Sequence, residues 1–302
     1  MAAVWIAVAA PALASCATVG PAEEASALAS PQAVADELLA ADRDFAARAA
    51  DRPLANTLPA MFDDAVIMPL PSGAFATGKP AAAAALSANP TNTVAKAVWA
   101  PVGAGIAADG MHGVTYGFMT IREDGEPDRR AKYLAYWVKR AIGWRVAAYK
   151  RAVSGPGEVA TALRPAVLPP RLVAEVVDPQ VIETHRAVLA ATEQAFSDRA
   201  QQVGLGPAFA EFGSVDAMNM GQNADFTFGN QAIAGGMPPD PKSPVTWAAD
   251  QGALVASSGD LGVTWGFIHP VAPPPPGQSA NIPFFTVWHR ATPQASWRYI
   301  AE

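Results

Sequence analysis

Only one cysteine, Cys16, occurs in 302 residues, so no disulfide can form within the chain. Histidine is almost as scarce: His112, His185, His269 and His289 are the four, and none has a neighbour at ligand spacing. With no second thiol to help them, no metal site is expected. A glycine-rich phosphate loop after a strand and a Gly-x-Ser-x-Gly elbow are both missing, which argues against nucleotide cofactors and covalent acyl transfer; no cofactor is expected. Positive charge is thin too, 21 Lys and Arg against 27 Asp and Glu for a net charge of −6, and no basic run interrupts the chain. That composition argues against nucleic acid as a partner.

About half of the residues are apolar (51%), enough for two domains of ordinary size, each with its own core. The 24 glycines and 28 prolines fall between apolar segments, apart from the run Pro273-Pro274-Pro275-Pro276, which is expected to be a stiff surface loop. Residues 2–14 are apolar over the length of a signal-peptide core and too short to span a bilayer as a helix. The sequence that follows, Leu13-Ala14-Ser15-Cys16, resembles the bacterial lipobox, in which the cysteine thiol carries a diacylglycerol. Residues 1–16 are therefore expected to be a signal peptide with a lipobox-like end, Cys16 the lipidation site, and residues 17–29 a tether. Ala17 after the cysteine resembles the sorting signal for the outer membrane, so the expected location is periplasmic, with membrane contact through the lipid anchor alone. The alternatives are a cleaved secretory peptide in which Cys16 plays no part and an apolar tail without a role.

The rest of the chain repeats itself. Residues 107–118 align without a gap on 256–267 and share seven of twelve positions, where unrelated segments would share roughly one. Asp64 pairs with Asp216, Phe75 with Phe226, Trp99 with Trp247, Trp137 with Trp288 and Trp144 with Trp297, at separations between 148 and 153 residues. Two copies are expected, over residues 30–152 and 178–302, joined by a Gly- and Pro-rich linker over 153–177.

Each copy opens on a helix signal. Ser30-Pro31 and Asp178-Pro179 place a capping oxygen before a proline at the first helical position, and apolar residues then recur at helical spacing. In the first copy a short helix is expected over 53–62, a strand over 64–68 and an alanine-rich helix over 80–88. Strands follow near 94–102, 114–121, 132–140 and 144–150, the last two joined as a hairpin. Helices first and antiparallel strands afterwards is an α+β pattern.

These residues resemble the SnoaL-like domains of the nuclear transport factor 2-like superfamily. The features that carry the resemblance are Asp42-Arg43-Asp44-Phe45, Phe62-Asp63-Asp64-Ala65-Val66, the Gly78 turn, Gly113-Val114-Thr115-Tyr116-Gly117 and the stretch from Lys132 through Trp137 to Trp144-Arg145-Val146. It covers nearly all of the first copy and, more loosely, the second. It implies a fold class: two tandem cone-shaped α+β domains, each a curved, mainly antiparallel sheet wrapped around about three helices, with a pocket inside the cone. Because such domains commonly dimerise through their sheets, it also implies that the two copies form an intramolecular pseudo-dimer.

The chemistry open to such a cone is acid–base work by a buried carboxyl. Asp64 and Tyr116 are the candidate catalytic residues; Asp42, Tyr116, Lys132, Tyr133 and Tyr136 are the candidate ligand-binding residues. Set against this, Asp64 suits a turn carboxylate, Lys132 a solvated strand residue, and the tyrosines and Trp99, Trp137 and Trp144 suit core. In the second copy Tyr116 becomes Trp265, Lys132 becomes Pro283, Tyr133 becomes Phe284 and Tyr136 becomes Val287, so a functional pocket is expected in the first. A protein of the cell envelope that binds a small apolar or amphipathic molecule is the leading expectation. An isomerase, cyclase or dehydratase resembling ketosteroid isomerase and a structural envelope module are the alternatives.

Overall fold

The computed structural model describes residues 1–2, 29–275, 277 and 279–302. Cys16, the apolar segment before it and the tether as far as residue 28 lie outside the described residues, as does Pro276. In the first half the elements run α1 (Pro31–Ala49), α2 (Leu54–Thr57) with a 3₁₀ turn (Leu58–Met61), β1 (Phe62–Pro69), β2 (Phe75–Thr77), α3 (Lys79–Ala88), α4 (Pro90–Val94), β3 (Lys96–Ile106), β4 (His112–Arg122), β5 (Arg129–Arg140) and β6 (Gly143–Val153). In the second they run α5 (Pro179–Val203), α6 (Leu205–Phe212), β7 (Gly213–Asn219), β8 (Thr227–Phe228), α7 (Asn230–Gly235), β9 (Val245–Trp247), β10 (Gly252–Val255), β11 (Leu261–Pro270), β12 (Ile282–His289) and β13 (Arg298–Ala301).

Both long helices start where side chains satisfy their first amides. Ser30 Oγ accepts from the Ala33 amide at 3.1 Å, and the Asp178 carboxylate from the Gln180 amide at 2.9 Å. The short β2 and α4 have no counterpart among the sequence-based expectations. Too few residues are involved for either to show a period.

The fold is α+β, two tandem units with the same strand order. The first sheet runs β2-β1-β6-β5-β4-β3; the second runs β8-β7-β13-β12-β11-β10, with β9 also on β11. Pairing is antiparallel except for one parallel contact in each sheet, β1 with β6 and β7 with β13. Equivalent glycines make equivalent close approaches. The Tyr116 ring lies over Gly103 across β3 and β4, and the Trp265 ring over Gly252 across β10 and β11.

The helices cover one face of each sheet. In the first half Leu38, Trp99, Tyr133, Trp137 and Tyr149 share that core; in the second, Leu189, Phe196, Trp247, Trp288 and Tyr299 do. The opposite faces pack on each other, with Leu134, Tyr136 and Val138 of β5 in one cluster with Val263, Phe285, Val287 and Ile300. Covered on both faces, the middle of β5 is a continuous buried run and not an alternating strand. At one end of this interface two equivalent turns exchange bonds: the Ser257 amide donates to Asp109 at 2.7 Å and the Ala108 amide to Asp260 at 2.9 Å.

The segment between the halves is largely irregular and tied down. Amides of Arg164 and Val167 donate to the Val102 and Ala104 carbonyls at 2.9 Å each, and the Ile106 amide donates to the Val167 carbonyl at 3.1 Å. It thereby occupies the outer edge of β3, a row of backbone groups otherwise open to another strand.

Candidate functional site

Strand alternation separates the residues that the sequence grouped. Successive side chains on a strand point to opposite faces. Tyr133 therefore faces the helices, while Lys132 and Tyr136, its neighbours on β5, face the other half. Tyr136 donates to or accepts from His112 Nδ1 at 2.9 Å within that interface. Tyr116 packs against Phe226 and Phe228 of the second half, with ring centroids 5.4 and 6.1 Å away. Asp64 is exposed, whereas its neighbour Asp63 is buried and takes two bonds from Arg140, at 2.7 and 3.2 Å.

Lys132 departs furthest from a solvated or ligand-facing residue. At 0% exposure it reaches across to the loop over 220–225, where its ammonium donates to the carbonyls of Met220, Gly221, Asn223 and Asp225, the Asn223 bond being 2.7 Å. Burial lowers its pKa, and the nearby Asp225 carboxylate partly restores it. A ring of carbonyl oxygens is a solvent-like shell for a cation, so Lys132 serves to fasten the halves together. Of the five expected ligand-binding residues, Tyr116, Lys132 and Tyr136 thus belong to the interface, and only Asp42 and Tyr133 point into the first cone.

Those two form a closed pair. Asp42, on α1, accepts from Trp99 Nε1 and from the Tyr133 hydroxyl, each at 2.8 Å, and Trp137 Nε1 donates to Thr115 beside it at 2.8 Å. Burial raises the Asp42 carboxyl against the opposing pull of Thr115, Trp99 and Tyr133. Asp42 and Tyr133 are both buried. A groove of 390 Å³ on this half is lined by residues such as Asn92, Ile121 and Tyr149, with Asp42 and Tyr133 outside its wall.

The second half repeats the cluster with a glutamate. Glu193, on α5, lies 151 residues after Asp42, and its carboxylate accepts from Trp247 Nε1 at 2.7 Å, Thr264 Oγ1 at 2.5 Å and Trp288 Nε1 at 3.0 Å. Trp247, Thr264 and Trp288 are the counterparts of Trp99, Thr115 and Trp137. The extra methylene carries the carboxylate to Trp288, which the shorter Asp42 does not reach. Burial raises Glu193 to about 7 despite those three hydrogen bonds.

Here the cone is open. A cavity of 430 Å³ reaches Glu193 and is walled by Phe196, Phe209, Trp247, Ile268 and Phe284, with Lys150 from the first half also on its wall. Burial brings the Lys150 pKa down to about 8, and the nearby Glu302 carboxylate opposes that fall. The functional pocket was expected in the first half, whereas the cavity that reaches a buried acid lies in the second. Loss of tyrosines from the second copy suggested a loss of function, yet smaller demands on space at Phe284 accompany an opening, and the acid persists as Glu193. Glu193 could have been found from the sequence: once Phe45 is paired with Phe196, the same register pairs Asp42 with Glu193.

Among the described residues no group of three or more His, Cys, Asp or Glu could hold a metal ion, and no helix is long and apolar enough to cross a membrane. No family model and no curated protein matches the chain. Solved structures similar to it include an NTF2-like protein with a cystatin-like fold from Novosphingobium aromaticivorans, 17% identical over 39% of this chain and 80% of that one, with a TM-score of 0.31. A ketosteroid isomerase-like protein from Erwinia carotovora atroseptica is 17% identical over 42% of this chain and 95% of that one, TM-score 0.30. An NTF-2 like protein from Shewanella oneidensis is 10% identical over 40% and 98%, TM-score 0.31.

Proposed function

We propose that this is a small-molecule-binding protein of the cell envelope, that its ligand is apolar or amphipathic, and that the second half holds the binding site while the first half serves as scaffold. The observation that supports this is the apolar cavity of 430 Å³ ending on a buried carboxyl, a size and character suited to one small organic molecule. The first half, whose equivalent acid is sealed by its own Tyr133, has the character of a structural module. The sheet-to-sheet packing supports an intramolecular pseudo-dimer of two duplicated domains. The repeated acid, two tryptophans and threonine support their common origin.

The experiment is uptake of butylbenzene, followed through Trp247 fluorescence and the thermal midpoint. Binding should raise the midpoint with ligand concentration, and Met237→Trp, which fills the cavity, should abolish the rise. Absence of any midpoint change with butylbenzene and with its hydroxyl-, methoxy- and amino-substituted analogues alike would overturn the reading.

An acid–base enzyme of the isomerase, cyclase or dehydratase kind is favoured by one observation, a Glu193 carboxyl raised to about 7, where proton transfer is effective. Against it, the hydroxyl that would work opposite the acid is Phe284 in the open cone. Export and acylation at Cys16, with a periplasmic, outer-membrane-anchored location, rest on the lipobox-like segment; a labelled lipid precursor should enter the protein and fail to enter Cys16→Ser.

A further inference from the structure

The two clusters differ in one donor. In the first half Asp42 Oδ2 accepts the Tyr133 hydroxyl at 2.8 Å while Oδ1 accepts Trp99. Tyr133 stands opposite Gly117 in the sheet, and Phe284 stands opposite Gly266, so the two occupy equivalent positions. In the second half Glu193 Oε2 is filled by Thr264 and Trp288, whereas Oε1 accepts Trp247 alone. A carboxylate oxygen has room for two donors, so Oε1 retains an open acceptor position. Phe284 cannot supply the missing proton, and both Phe284 and Glu193 line the cavity.

We propose that the ligand supplies this donor itself: an apolar molecule bearing one neutral hydroxyl, phenolic or alcoholic, that sits in the second cone with its O–H on Glu193 Oε1, as the Tyr133 hydroxyl sits on Asp42. This rests on the binding reading above and names its ligand class. The aromatic and aliphatic wall holds the apolar body, and Glu193 Oε1 offers the hydroxyl an acceptor. A hydrogen bond to a buried carboxylate is stronger than one to water, while an ether oxygen placed there would face acceptor lone pairs with no proton between them.

The test compares 4-butylphenol, 4-butylanisole, butylbenzene and 4-butylaniline by calorimetry on the full chain at pH 8, above the value of about 7 to which burial raises Glu193, so that its carboxyl is ionised. The phenol should bind about tenfold or more tightly than the methyl ether and the hydrocarbon, the ratio expected of one charge-assisted hydrogen bond. Phe284→Tyr returns a protein hydroxyl to the acid, so it should erase that ratio. Should Phe284→Tyr not fold, Glu193→Gln must bring the ratio below about threefold by removing the charge. Equal binding of phenol and ether, a preference that survives these substitutions, or tighter binding of the aniline would each overturn the inference while leaving an apolar binding site. Failure of all four probes to bind would remove the binding reading as well.

Discussion

Glu193 should make the protein less stable as pH rises through the weakly acidic range. Its carboxyl titrates at an ordinary 4.5 when unfolded and is raised to about 7 in the fold, with burial as the largest cause. Between those values the folded state holds a proton that the unfolded state has released. Stability then falls with pH, because the fold must give up that proton or carry a charge it solvates poorly. Below 4.5 both states are protonated and the effect is absent; above about 7 it is complete. The full difference corresponds to about 3 kcal/mol, as an order of magnitude for a group with 0% exposure. Asp42 is raised for the same reason and pulls the same way, so the wild-type profile alone would mix the two. Glu193→Gln keeps the shape, cannot titrate and retains Asp42. Urea unfolding of both proteins at pH 4.5, 6 and 8 should show the wild type losing about 3 kcal/mol relative to the variant across that range. Parallel profiles would refute the raised carboxyl and its burial together.

Lys132→Met should lower stability by roughly 2–4 kcal/mol, because it leaves carbonyls of the 220–225 loop without their donor, and the loss should appear as a shifted urea midpoint. Tyr133→Phe should cost about 1–2 kcal/mol by removing the hydroxyl from Asp42, a change read in the thermal midpoint. Gly266→Ala and Gly117→Ala should each cost about 3 kcal/mol, since a Cβ would collide with the Ala248 or Ala100 carbonyl; equal losses at both positions, measured by urea, would show the sheets to be mechanically equivalent.

Much of the architecture could be read from the chain because its signals are local. Capping residues with a following proline mark both long helices, and β-branched and aromatic runs between Gly, Pro and Asp turns mark the strands. Gly113-Val114-Thr115-Tyr116-Gly117 and its later counterpart recur because the glycines admit close approach of neighbouring groups, a demand that does not tolerate drift. The site was harder to read. Lys132, Tyr133 and Tyr136 look alike as polar residues in an apolar stretch, but the two-residue period of a strand sends Tyr133 inward and the other two to the opposite sheet. With both faces of β5 covered, no alternation in the sequence announces which side is which. Glu193 was missed for a different reason. One of three acids on a long amphipathic helix, it resembles a solvated charge until the strands that carry Trp247, Thr264 and Trp288 close over it.

The segment that connects the halves has a consequence for any attempt to separate them. Its backbone is bonded to β3 from Val102 to Ile106, and Arg164 from the same stretch lies over the Phe228 ring at 3.8 Å. Removing it along with the second half would leave the first sheet with a bare margin and an uncovered apolar face. A first half expressed alone should therefore associate with copies of itself, and the shortest workable fragment extends beyond β6 to include the connector.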